Sequence, residues 1–360
     1  MTFSPRLLLL LSTLSSGAAE PPPGTLFYHI SWPEASAVSV VGSPPRWLAV
    51  ADNETPFIGL FALEPPATDP RAPAGRIATS PSYPVDDLEA CTVFPFDANG
   101  EGKPEKVYHV YAASGSRSKK GKVVSARDLL FALHIDEAAI TGPTKNGIFP
   151  PVNAVKFNRT MRSQVQALGS AHADEPWGPI LRDSISAPGQ DAAVINLQLA
   201  GGTRDGFNVE GLTVSSDGRS LLLGLRSPLV EGKAVLVPIT NPAAALGLSG
   251  AVQPLALAEP SLLDLGGLGF RSIEWDAQHR VYLISAGSPD DGGVFRFYTW
   301  TGNAADAPVA VTTPSAVAAA RLDPEGLTPI PGMKSAVIVG DGEAKAPVHK
   351  GMWVDFGTGK

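Results

Sequence analysis

Residues 208–228 read NVEGLTVSSDGRSLLLGLRSP, from Asn208 to Pro228. An acidic residue beside a glycine opens an apolar run, a polar turn containing Asp-Gly follows, and a second apolar run returns. The pattern is a β-hairpin with a carboxylate, Glu210, at its mouth, where an ordinary hairpin needs none. A second stretch, DPEGLTPIPGMKSAVIVGDGE from Asp323, repeats the layout around Glu325.

Aligned on a start residue with a second apolar strand eleven positions on, five copies emerge. Ser36 leads to Trp47, Glu210 to Leu221, Arg271 to Tyr282 and Glu325 to Ala336, while Glu89 heads a copy with a longer turn. The starts at 36, 89, 210, 271 and 325 are spaced by 53, 121, 61 and 54 residues. Each hairpin is followed by further strand-like runs, such as FIGLFAL, LLFALHI, AVLVPI, GVFRFYTW and GMWVDF.

Strands in sets of three or four, repeating every 50 to 60 residues, predict an all-β chain folded as a β-propeller. A sandwich does not usually repeat internally, and β-helix coils are shorter than these units. The interval of 121 residues is about twice the others, so six blades are expected over five or seven. The sixth would be a degenerate copy between roughly 140 and 205 that includes DAAVINLQLAGG. Within the same interval FNRTMRSQVQALGS reads as a short helical insertion. The run TLFYHI near the N-terminus is placed to pair with the last blade and close the ring.

The bulk numbers agree with this architecture. The 360 residues include 37 Gly and 34 Pro, a load suited to many turns. The net charge of −7 argues against a nucleic-acid surface, which needs a clustered positive field. Residues 1–19 read as a secretory signal peptide, with Arg6, a short leucine core and small residues before Glu20. A proline-rich spacer, 20–24, and one propeller domain over 25–360 follow. The expected location is secreted or periplasmic, as a monomer with no membrane span. Cys91 is the only cysteine, so no intrachain disulfide forms, and its apolar run marks it as a buried small hydrophobe.

In a propeller the start of strand one and the end of strand two share a face. The repeated start residues should therefore ring one mouth of the channel. Candidate ligand-binding residues are Arg117, Arg226, Arg271 and Ser114, taking a small polar or anionic ligand. Candidate metal ligands are Glu89, Glu210, Glu325 and Asp341, whose hard oxygens favour Ca²⁺. Three roles stay open for this ring: ion pairs that tie blades together, metal binding, and catalysis as a Ca-dependent esterase or phosphoesterase-like hydrolase. The basic run SGSRSKKGK (Ser114–Lys122) suits an anion or is a solvated loop. The chain carries no G-x-S-x-G elbow, H-E-x-x-H pair, P-loop or dinucleotide fingerprint. His109, in VYHVY, reads as a structural residue, and Asn53 and Asn158 head glycosylation sequons that carry meaning only in a eukaryotic secretory host.

At DLEA, SGSRSKKGK, NVEGL with DGRSLLLGLRSP, GFRSIEWD with YLISAG, and DPEGL, the chain resembles the bacterial domain-of-unknown-function thirty-six-sixteen family. The resemblance implies a secreted or periplasmic propeller and carries no settled activity. The repeated EGL is also similar to propellers named for the esterase-like activity of phytase, which implies an ester- or phosphate-directed role. Glu89-Ala90-Cys91 and Arg271 depart from the EGL pattern.

Overall fold

The computed structural model describes residues 26–29, 35–52, 57–63, 75–78, 85, 87–99, 101–114, 127–140, 148–149, 155–185, 206–289, 293–313, 323–341 and 349–355. Residues 1–25, Asn53 and DAAVINLQLAGG lie outside the described residues.

After β1 (Leu26–His29), the chain builds antiparallel sheets one after another. The first sheet holds β2 (Ala35–Val41), β3 (Trp47–Asp52), β4 (Phe57–Ala62) and β5 (Gly75–Ala78). The second holds β6 (Leu88–Phe96), β7 (Lys106–Ser114) and β8 (Asp128–Leu133). Two short strands then finish both sheets: β9 (Ile148–Phe149) runs parallel to β5, and β10 (Phe157–Asn158) pairs with β8. The third sheet is β11 (Asn208–Val214), β12 (Leu221–Ser227), β13 (Ala234–Ile239) and β14 (Ser261–Leu263). The fourth is β15 (Gly269–Asp276), β16 (Val281–Gly287), β17 (Arg296–Trp300) and β18 (Val309–Val311). The last is β19 (Asp323–Pro329), β20 (Ser335–Asp341) and β21 (His349–Asp355), completed by β1.

β1 pairs with β21 from Leu26 opposite Met352 to His29 opposite His349. The N-terminal strand thus joins the last sheet, as its position in the sequence predicts, and covers an edge that would otherwise be open.

The five first strands form the ring. β2 packs beside β6, β6 beside β11, β11 beside β15, β15 beside β19, and β19 returns to β2. The expectation of six blades is corrected: the described residues form five sheets, four of four strands and one of five. Among the described residues, the long interval holds a pair of helices and the short strands β9 and β10. α1 (Met161–Ala171) and α2 (Trp177–Ile185) pack together there. Their Met161, Val165, Trp177 and Leu181 join the core shared by the second and third sheets. Because β6 and β11 touch directly, the ring has no opening for another blade between them.

The ring strands are largely buried on both faces. β11 is buried from Asn208 to Thr213, whereas the outermost β18 exposes Val309 and Ala310. A blade is packed against a neighbour on either side, so its inner strand reads as a continuous buried run and not as a clean alternation. The β11–β12 turn is set by Gly218 at φ +74°, with Gly218 N–H donating to the Ser215 carbonyl at 2.8 Å.

Candidate functional site

The five repeated start residues occupy equivalent and unusual positions. In every inner hairpin the pairing register skips one residue: Ser36, Glu89, Glu210, Arg271 and Glu325 in turn. Each is a β-bulge, the device that re-aims a side chain out of the regular ladder. The carboxylate at the mouth of the opening hairpin is there because the bulge turns it toward the ring.

The residue after the bulge is small, and its surroundings give the reason. A Cβ on Gly326 would lie 2.8 Å from Val339 Cγ2 and 2.9 Å from the Cα of Ala37 in the neighbouring blade. A Cβ on Gly211 would lie 3.0 Å from Gly224 Cα and from Ile273 Cγ2. The following residue is core: Leu212 and Leu327 are each 1% exposed. EGL is therefore a bulged ring residue, a close blade-to-blade approach and a core anchor.

Three of the bulge residues meet in an ion-pair chain. Arg226 Nη1 donates to Glu210 Oε1 at 2.9 Å, and Asn208 Nδ2 donates to the same oxygen at 3.0 Å. Arg271 Nη1 bridges Glu210 Oε2 at 3.1 Å and Glu325 Oε1 at 3.0 Å. Arg271 thus binds the third, fourth and fifth blades, and its guanidinium also lies over the Phe295 ring at 5.4 Å. Its Nε is buried without a hydrogen-bond partner.

Glu89 differs. It is part-buried, and among the described residues it makes no hydrogen bond or ion pair. Burial, and then the charges of Asp87, Glu210 and Glu325, hold its carboxyl well above the usual carboxylate range, against the pull of Arg271. Ser36, the neutral member of the ring, donates its hydroxyl to the Leu88 carbonyl just before Glu89.

A second tier lies three residues further along each ring strand: Ser39, Thr92, Thr213, Glu274 and Thr328, all buried. Glu274 Oε2 accepts from Thr92 Oγ1 and Thr213 Oγ1 at 3.0 Å each and from Trp275 N–H at 3.2 Å. Burial pushes the Glu274 carboxyl up to about 8, although these three donors favour its charged form. Sequence reading missed this residue. The signal was there: every copy carries a polar residue three positions after its start.

The other expected site residues sort as follows. Arg226 and Arg271 lie in the ring, but their guanidiniums are engaged by Glu210 and Glu325. Ser114 and Asp341 end β7 and β20, near the bulges by register: Ala113 is opposite Leu88, and Asp341 opposite Asp323. Arg117 and most of SGSRSKKGK lie outside the described residues. Among the described residues no group of three or more His, Cys, Asp or Glu is arranged to hold a metal ion. Cys91 is buried, and His109 hydrogen-bonds Ser39 Oγ at 2.9 Å while burial lowers it to about 3.

The sequon at Asn158 lies in the folded interior. Asn158 is 1% exposed, and its Nδ2 donates to the carbonyls of Ala245 at 2.9 Å and Gln253 at 2.7 Å. An amide committed in this way is not an acceptor for a glycan in the folded protein. No helix among the described residues is long and apolar enough to cross a membrane.

Comparison with known proteins gives a family resemblance and distant structural similarities. Residues 189–325 match the family model described as Protein of unknown function (DUF3616). No curated protein matches the chain. Among solved structures, the β-propeller domain of Cps50 (Swd1) from Myceliophteria thermophila is similar at 11% identity. That alignment covers 89% of this chain and 83% of the other, with a TM-score of 0.36. Sqt1 from Saccharomyces cerevisiae is similar at 9% identity and a TM-score of 0.32, over 89% of this chain and 60% of Sqt1.

Proposed function

We propose that this chain is an exported propeller whose channel mouth binds a small polar ligand through a positively charged or hydrogen-bond-donating group seated on Glu89. The observation that carries this reading is the unspent acceptor capacity of Glu89. Two guanidiniums, Arg226 and Arg271, are in contact with the other two carboxylates, Glu210 and Glu325, so among the described residues Glu89 has only the more distant pull of Arg271. A buried carboxylate without a partner is costly, and a ligand cation or donor removes that cost. Both arginines are already paired, so the mouth favours a donor-bearing ligand over the anionic one that the arginines by themselves suggest.

Calcium is the inorganic competitor for the same position. It would need Glu210 and Glu325 to exchange Arg271 for the metal, because Glu89 alone is too few oxygens for Ca²⁺. Ion pairing favours a further reading in which the ring serves only to tie blades together. Export rests on the leader, and the mature chain would begin at Glu20.

Thermal unfolding of the mature protein separates these readings. Ethanolamine, putrescine and glucosamine are tested against calcium chloride after chelation, with wild type and Glu89→Gln in parallel. A rise in Tm with an amine, absent in Glu89→Gln, supports the ligand site. A rise with calcium alone would favour the metal reading and justify assaying ester and phosphoester hydrolysis. No shift with any of them leaves the ring as structural ion pairs and sinks the proposal.

A further inference from the structure

Glu274 stands apart from the mouth. It sits three residues beyond Arg271 on β15, a separation of roughly 10 Å along an extended strand. Its donors, Thr92 on β6 and Thr213 on β11, come from two other ring strands, so the carboxyl lies where the inner edges of the blades converge. All three donated hydrogen bonds fall on Oε2, and among the described residues Oε1 receives none. No guanidinium or ammonium of the described residues is among the groups that set its proton affinity.

A carboxylate that is 5% exposed, with no counter-charge among the described residues, is neutralised by a proton or by a small cation. We propose that Glu274 floors a second site in the channel, distinct from the mouth, which takes one monovalent cation, either an alkali ion or an ammonium group. The structure supplies one carboxylate oxygen, Oε1, with a single negative charge, while the Thr92 and Thr213 hydroxyls hold Oε2. That is too little charge for a divalent ion, which draws several carboxylates, and it balances a monovalent one. When no cation is present a proton occupies Oε1, the oxygen without a donor, so the two compete.

The surrounding titratable groups do not interfere. Cys91 on β6 and Tyr282 on β16 feel the Glu274 charge. Burial raises the Cys91 thiol well above its usual range and the Tyr282 hydroxyl to about 12, so both stay neutral where Glu274 titrates. His109 on β7 is already neutral there. On neighbouring ring strands, Glu210 and Glu325 are paired with Arg271 at the mouth, and Asp276 at the far end of β15 holds His279 at 2.6 Å.

The test is thermal unfolding of the mature protein in sodium, potassium or ammonium chloride against choline chloride at equal ionic strength, below and above pH about 8. At least one of the three salts raises Tm over choline above that pH. Its apparent affinity falls roughly tenfold for each pH unit below, as one proton competes for the site. Sodium or potassium alone identifies an alkali-ion site, and ammonium alone an ammonium pocket. The effect disappears in Glu274→Gln and persists in Glu89→Gln, which loses only the amine effect at the mouth. If Glu274→Gln does not fold, proton release decides: adding the active salt to weakly buffered wild type near pH 8 should liberate up to one proton per chain. Equal shifts in Glu274→Gln, no advantage over choline, no proton release, or a preference for calcium would each overturn the proposal.

Discussion

Glu210 at the mouth and Glu274 in the second tier are buried almost equally, at 3% and 5% exposure, yet they are neutralised by different means. Glu210 has two guanidiniums within 3.1 Å, one from its own blade and one from the next. Glu274 has two hydroxyls and an amide, which satisfy one oxygen and supply no charge. Glu89 is a third case, less buried, and among the described residues it has neither hydrogen bond nor ion pair, only the more distant pull of Arg271. Depth by itself does not decide what a carboxylate does in this channel; the nearest compensating charge does.

The sharpest way to break that contrast is to remove the shared cation. Arg271→Met leaves Glu210 with one guanidinium and Glu325 without its Arg271 contact, and it should cost about 3–5 kcal/mol. Urea unfolding measures the loss. A cost under about 1 kcal/mol, the size of an exposed pair, would show that the mouth is wetter than its burial implies.

Next comes pH. Glu274 has a folded value near 8 against an ordinary 4.5, so the folded state holds its proton more tightly than the unfolded state does. The stability that this adds is full below about pH 4.5 and is lost as pH rises through about 8. Wild type in choline should therefore lose on the order of a few kcal/mol across that window. Glu274→Gln should show a flatter profile. Parallel profiles for the two proteins would mean that Glu274 is charged and compensated after all.

A smaller effect tests the geometry of the motif. Gly326→Ala pushes a methyl toward the Ala37 backbone and should cost about 1–3 kcal/mol through overpacking between the last and first blades. A neutral outcome in urea unfolding would mean that the blades separate easily there. Smallest is Glu89→Gln. Removing a charge that burial and three carboxylates already disfavour should leave stability unchanged or slightly raised near neutral pH. A residue whose replacement stabilises while abolishing ligand binding is there for function. A clear fall in Tm would instead give Glu89 a structural partner.

Much of the ring was legible in the primary structure because a propeller repeats its hairpin. The spacing of an acidic or equivalent residue, a small residue, a core residue and a second strand eleven positions on picks out all five inner strands. It also picks out the residue that bulges in each. Counting by interval failed between Glu89 and Glu210, because chain length does not distinguish a blade from a helical pair that covers the seam between two blades. The role of Asn158 was hidden for a related reason. Its side chain is recruited by the carbonyls of Ala245 and Gln253, 87 and 95 residues away, which no local motif reveals.

The sequence by itself determined the period, the strand type, the closing strand at the N-terminus and the residues that would face the ring, since these follow from local pattern repeated along the chain. Tertiary structure decided how many sheets close the ring and which arginine serves which glutamate. It also decided which carboxyls are left over. Those outcomes depend on contacts between blades: Arg271 reaches Glu210 across 61 residues, and Thr92 reaches Glu274 across 182. Charge compensation is a property of distance in space, and only the closed ring sets those distances.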